Sequence, residues 1–269
     1  MKDYAIELAA GKPDYNAKLN TMREYIQSYV LRVLHEQGFF HSSAFLGGTA
    51  LRFLYNLPRF SEDLDFSVVP GKERMPFVEL LKKLKSECVL AGYDVALSYN
   101  DDKTVQHAFF KFKGLMYEAG LSPLKSQNFS IKIEVDTHPP EGALYETRIV
   151  NRYFPVSFLS YDLPSLFAGK LHALLSRKYT KGRDFFDMGW YLSTWKDVAP
   201  NLDLLKNSLR QTGWKDALPQ KDNWREFLYR SVEKADWAVV ENDVKSFLER
   251  PADMLIFTKE NILKLAAVE

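Results

Sequence analysis

The sequence of 269 residues contains a single cysteine, Cys88, so it can form no internal disulfide and no thiolate metal site. It has no uninterrupted apolar run long enough to span a bilayer, and its first residues, MKDYAIELAAGKPDYN, lack the charged-then-apolar pattern of a secretion signal. Excess charge is also missing. The net value is +1, so attraction to a polyanion must come from a local patch rather than the whole surface. The five histidines show no metal-ligand spacing, and neither internal repeats nor low-complexity tracts occur. A cytoplasmic globular protein with no membrane attachment is the expectation. A composition of 46% hydrophobic and 26% charged residues agrees with it.

Against this plain background the run FLGGTALRFLYNLPRFSEDLDFSV, Phe45 to Val68, carries most of the information. Gly47 and Gly48 open a short helix, and a strand with Asp63 and Asp65 follows. Side chains alternate across a strand, so Asp63, Asp65 and Ser67 share one face while Leu64, Phe66 and Val68 take the other. Two neighbouring carboxylates repel each other unless a cation neutralises them. A glycine turn at a helix start suits phosphate, because backbone N–H groups and the helix dipole both favour an anion there. Together these features point to phosphoryl or nucleotidyl transfer.

Apolar spacing predicts a helix over Tyr15–Gln37, a short strand at Ala44–Leu46, a helix over Thr49–Asn56 and another over Pro76–Ala91. Strands are expected at Tyr93–Tyr99, Val105–Phe112 and Phe129–Asp136, followed by a breaker at His138–Gly142. Beyond about Pro155 the pattern reads as mostly helical, with helices over Pro164–Arg177 and Asp184–Trp195 and two or three more after Leu202. The five tryptophans lie in this part and read as core. The expected architecture is a mixed-sheet α/β (α+β) domain, residues 1–155, followed by a helical domain, residues 156–269.

The strand, Gly-Gly turn, helix and Asp-x-Asp strand resemble the nucleotidyltransferase fold of the DNA polymerase β superfamily. More narrowly, four segments are similar to the AbiEii/AbiGii toxins of bacterial type IV toxin–antitoxin pairs. They are Gly47–Arg52, Arg59–Phe66, Lys170–Ala173 with Arg177, and Arg183–Met188. The resemblance implies transfer of a nucleoside monophosphate from an NTP, with Mg²⁺ or Mn²⁺ as cofactor and pyrophosphate released. The implied acceptor is RNA, foremost the 3′ end of tRNA, with a halt to translation. The implied partner is an antitoxin that acts without stable contact. A small-molecule or protein acceptor, or nucleotide binding without turnover, are the alternatives.

Within that resemblance Gly47 and Gly48 cradle phosphates, with the Thr49 hydroxyl as a further donor, and Asp63 and Asp65 hold the metal. Ser61 and Arg59 are candidates for phosphate contact, Arg59 being equally readable as an exposed loop residue. Glu134 and Asp136 share the polar face of their strand, and either could be the third carboxylate, a metal ligand or a general base. The helical domain is expected to bring Lys170 and Asp187 to the cleft, Lys170 toward the NTP phosphates and Asp187 as an acid of the site. Arg177 is a candidate for phosphate or RNA. The bland alternatives are a snorkelling Lys170 and an ordinary Arg183–Asp187 ion pair one turn apart. Lys170, His172, Arg177, Lys178, Lys181 and Arg183, with Tyr179 among them, form the most basic stretch of the chain and a candidate RNA ledge.

Overall fold

A computed structural model describes residues 1–267. The chain separates into two compact units. The first comprises Met1–Asn56, Phe60–Pro139 and Thr147–Ser160; the second comprises Leu57–Arg59, Pro140–Glu146 and the chain from Tyr161 on. Among the described residues no helix is long and apolar enough to cross a membrane.

The first unit begins with α1 (Lys2–Ala10) and α2 (Tyr15–Glu36), then β1 (Ser43–Leu46), α3 (Gly47–Tyr55), β2 (Asp63–Val68) and α4 (Phe77–Leu90). It continues through β3 (Val95–Asn100), β4 (Val105–Phe112), a single turn α5 (Leu115–Glu118) and β5 (Phe129–Asp136). The sheet is completed by β6 (Tyr145–Asn151) and β7 (Pro155–Tyr161), giving a mixed sheet of order β3-β4-β5-β2-β1-β7-β6. β2 pairs antiparallel with β1 and parallel with β5. It is therefore an interior strand, and its apolar face must be covered. Leu64 and Phe66 supply that face, with Phe66 stacked on Phe45 at 5.3 Å and set edge-on to Phe39 at 4.9 Å.

The helix α2 starts where Asp14 accepts a hydrogen bond from the Ala17 N–H at 2.9 Å. It ends before Gly38, whose φ of +72° needs no Cβ. Its expected apolar face is buried from Met22 to Leu34, but so are Glu24 and Gln27. Glu24 binds the Arg52 guanidinium at 2.6 Å and Arg152 at 3.0 Å. Gln27 donates to the carbonyls of Ser61 and Glu62 at 3.1 and 2.8 Å, which fixes the segment leading into β2.

Four elements depart from expectation. Neither the helix α1 nor the single turn α5 was foreseen. The strand β6 lies in a stretch to which no element was given, and β7 occupies the stretch read as the beginning of helical structure. β6 carries no buried residue and so shows no alternation of burial. β7 opens on a proline and meets β1 in parallel through Phe45 and Ser160, a pairing no local pattern announces.

The second unit is built from α6 (Leu163–Ser176), α7 (Gly182–Thr194), α8 (Leu202–Gln211), α9 (Trp224–Lys234), α10 (Trp237–Val244) and α11 (Lys259–Ala266). Four helices follow Leu202 rather than two or three. Side-chain caps open α6, α8, α10 and α11 at Asp162, Asn201, Asp236 and Thr258. Phe167 stacks on Tyr191 at 4.1 Å and meets Trp224 edge-on at 5.4 Å. Of the five tryptophans only Trp224 is buried, so the expected core role holds fully for that one.

Candidate active site on the sheet face and a buried ion cluster

The turn from β1 into α3 places glycine against carboxylate. Leu46 is the register partner of Asp65, so the next residue, Gly47, lies directly beside that acid. Gly47 has φ of +80°, and a Cβ there would overlap the Asp65 carboxylate. Both facts require glycine. The N-cap residue of α3 is Leu46, whose side chain cannot cap, so the first amides of this nine-residue helix must find partners elsewhere. Thr49 does not project as a further donor. It is fully buried, and its hydroxyl donates to the Asp63 carbonyl at 2.5 Å, tying α3 to β2.

Asp63 and Asp65 are half-buried, whereas Ser67, expected on the same wet face, is buried. The parallel register sets Asp63 beside Lys132, Asp65 beside Glu134 and Ser67 beside Asp136. Glu134 is therefore the acid level with Asp65. Asp136 lies one step further on, and its Oδ1 accepts the His138 N–H at 2.9 Å, which closes the strand end. Ser61 is half-buried just ahead of the strand.

Lys132 was not weighed as a site residue from sequence. Its amine meets Glu134 at 2.8 Å. Burial alone would lower its pKa, but the bond to Glu134 and the charges of Asp63 and Asp65 outweigh burial and raise it. The signal was present, since Lys132 alternates onto the face of Glu134. What sequence could not give was the register that sets it beside Asp63.

Asp63, Asp65 and Glu134 offer hard anionic oxygens, the donor type that magnesium and manganese prefer. The overlap that a Cβ at position 47 would make shows how closely the turn wraps one of those oxygens. Among the described residues, no three His, Cys, Asp or Glu side chains are gathered closely enough to hold a metal ion as they stand.

The remaining predicted residues gather within the helical unit. Asp187 is completely buried, and its two oxygens accept from Arg59 Nε and Nη2, each at 2.6 Å. Lys170 Nζ reaches the same carboxylate at 2.7 Å and Asp184 at 3.1 Å. Arg177 Nε contacts the other Asp184 oxygen at 3.2 Å. Burial opposes the charge of Lys170, but Asp187 and Asp184 override it and hold its pKa above 10.5. Burial likewise pushes Asp184 up, and Lys170, Arg177 and Lys181 bring it below 3.8.

Two readings made from the chain alone are corrected here. Arg59 is neither an exposed loop residue nor presented to phosphate: it is 2% exposed, and its guanidinium clamps Asp187 in the bidentate geometry arginine favours. Arg183 does not pair with Asp187 but lies 3.6 Å from Asp243, which also accepts the Arg183 N–H. His172 meets the Thr212 hydroxyl at 3.1 Å, and burial followed by Arg177 lowers its pKa.

No curated protein matches the chain. Among solved structures it is similar to MenT4, a nucleotidyltransferase toxin from Mycobacterium tuberculosis, with 16% identity and a TM-score of 0.58 over 99% of this chain and 88% of that one. It is also similar to JHP933 from Helicobacter pylori, with 20% identity and a TM-score of 0.52 over 92% and 88%. At these identities the likeness speaks for the fold. The model of the nucleotidyl transferase AbiEii toxin family, of type IV toxin–antitoxin systems, matches residues 29–257. The chain belongs to that family and is a nucleotidyltransferase.

Proposed function

We propose that the protein transfers a nucleoside monophosphate from an NTP to the 3′ end of an RNA, foremost tRNA, in a reaction that requires Mg²⁺ or Mn²⁺ and stops translation. The observation that carries the reading is the row made by the Gly47 turn, Asp65 and Glu134, with Asp63 and Lys132 one step along the same strands. The amides at the start of α3 grip the triphosphate. Asp63 and Asp65 would hold the divalent cation, which when bound offsets the charge that develops on the departing pyrophosphate. Glu134 takes the proton of the acceptor hydroxyl as its oxygen bonds to the α-phosphorus and the bond to the β-phosphate oxygen breaks. Lys132 orients the Glu134 carboxylate through its 2.8 Å contact. The resemblance assigns Lys170 and Asp187 to the same reaction, Lys170 as a permanent cation whose amine Asp187 fixes at 2.7 Å.

The test is to incubate the protein with Mg²⁺, each α-labelled NTP in turn, and total bacterial tRNA or lysate. Label in tRNA that disappears with Asp65→Ala supports the proposal. Label in protein or small solutes moves the acceptor to another class, and no label anywhere leaves nucleotide binding without turnover. Adding the protein to a cell-free translation reaction checks the translation block. A cognate antitoxin acting without stable contact should restore growth without co-purifying.

A further inference from the structure

The helical unit contains a polar cavity that the transfer chemistry proposed above does not use. It has a volume of about 270 Å³, just under the roughly 300 Å³ at which small-molecule sites begin. It is therefore small for a whole nucleotide but suited to a phosphate group. Its walls come from the α6–α7 loop and the end of α9, and they carry four cations: Arg177, Lys178, Lys181 and Lys234. The hydroxyls of Thr180 and Ser231 also line it. The one anion in the wall, Asp184, is committed to Lys170 and Arg177. Lys178 and Lys234 are exposed and Lys181 is half-buried, and none of the three makes an ion pair among the described residues. Together they set a local positive potential that favours an anion in this space.

The state of Lys181 agrees. Burial lowers its pKa; Asp184 opposes that, and the like charges of Arg183, Arg177 and Lys170 add to it. Beside the cavity Tyr179 is 65% exposed, with its hydroxyl accepting from Arg177 at 2.7 Å and the guanidinium 5.6 Å from its ring centroid. An exposed ring next to a phosphate-sized basic cavity is the pairing that single-stranded nucleic acid uses, one base stacked and its phosphate neutralised.

We infer that this cavity binds a backbone phosphate of the RNA acceptor, with Tyr179 stacking on an adjacent base. The inference rests on the RNA-acceptor reading above, which it deepens by locating a contact away from the sheet face. Lysines, as point charges, suit a backbone contact that positions the strand without reading its sequence.

The experiment measures binding apart from chemistry. Anisotropy of a fluorescent single-stranded RNA is followed without NTP across a salt series, for the unaltered protein, Lys181→Gln/Lys234→Gln, Tyr179→Ala, and a control with Lys12→Gln/Lys82→Gln. Thermal unfolding verifies that each variant is folded. The cavity double variant should bind several-fold more weakly, its log–log salt slope falling by about 0.7 per lysine removed. Tyr179→Ala should weaken binding with no change in slope, and the control should match the unaltered protein. Equal affinity and slope in the cavity variant overturns the inference, as does a loss shared equally by the control. A loss of NTP affinity with RNA affinity intact also overturns it. Because no NTP is present in the RNA titration, the result stands apart from the labelling assay. Transfer to RNA with an unaffected cavity variant sinks this inference alone, whereas absent transfer with weakened RNA binding by the cavity variant sinks the proposed reaction and leaves the cavity an RNA-phosphate contact.

Discussion

At the scale of single residues, the contact between Gly47 and Asp65 gives the sharpest expectations. Asp65→Ala should abolish nucleotide transfer while leaving the fold intact, as read by labelling and by circular dichroism. Gly47→Ala should cost about 1–2 kcal/mol from its left-handed backbone alone, and the added Cβ must also displace the Asp65 carboxylate. It should therefore lower both the unfolding midpoint and the transfer rate. The Asp-x-Asp pair and the glycine turn were legible in the chain because their spacing is local. Lys132, Gln27 and the choice between Glu134 and Asp136 were not, since each depends on what another strand or helix sets beside it. The side chain of Arg59 was misread for the same reason: its partner, Asp187, lies 128 residues away.

At the scale of elements, the Arg59–Asp187–Lys170–Asp184 cluster ties α6 and α7 to the short segment Leu57–Arg59, which belongs to the helical unit. Removing one partner of a buried pair strands the other, so Arg59→Ala should destabilise this unit by about 3–5 kcal/mol. Arg59→Met combined with Asp187→Leu should restore much of that loss, as measured by denaturant unfolding. The cluster also sets a pH window. Asp184 has its pKa depressed in the fold, so its contribution is present above 3.8 and vanishes as pH falls through the lower folded value. Lys170 is raised, so its contribution is full below 10.5 and disappears as pH climbs through the higher folded value. Unfolding midpoints measured across pH should therefore form a plateau between these limits and fall on both sides. Helices α2, α4, α6 and α7 were readable to within a residue or two because each carries an apolar stripe, a cap or a glycine stop. β6 and β7 were not, because a half-exposed strand and a long-range parallel pairing leave no periodic trace.

For the whole molecule, the mixed sheet and the helical region after it follow from sequence, and the family model spans both. The division into units is less linear than the chain suggests, since Leu57–Arg59 and Pro140–Glu146 join the helical unit from within the first part of the sequence. Cys88 offers a global probe. It is fully buried, and burial followed by the charge of Glu87 pushes its thiol up to about 12. An aromatic disulfide reagent should therefore leave the native protein unlabelled at neutral pH and react with one thiol per chain after denaturation. Rapid native labelling would show that the α4 region opens readily.

The crowding at Gly47 also bears on how such a gene survives in the laboratory. Every change at the first two bases of a glycine codon installs a side chain or a stop, and at this position any side chain collides with the acid two strands' width of hydrogen bonding has pinned in place. Colonies that outgrow expression of the intact gene should therefore be enriched for lesions at codon 47. Sequencing survivors would thus test the proposed reactive centre without any assay of its chemistry.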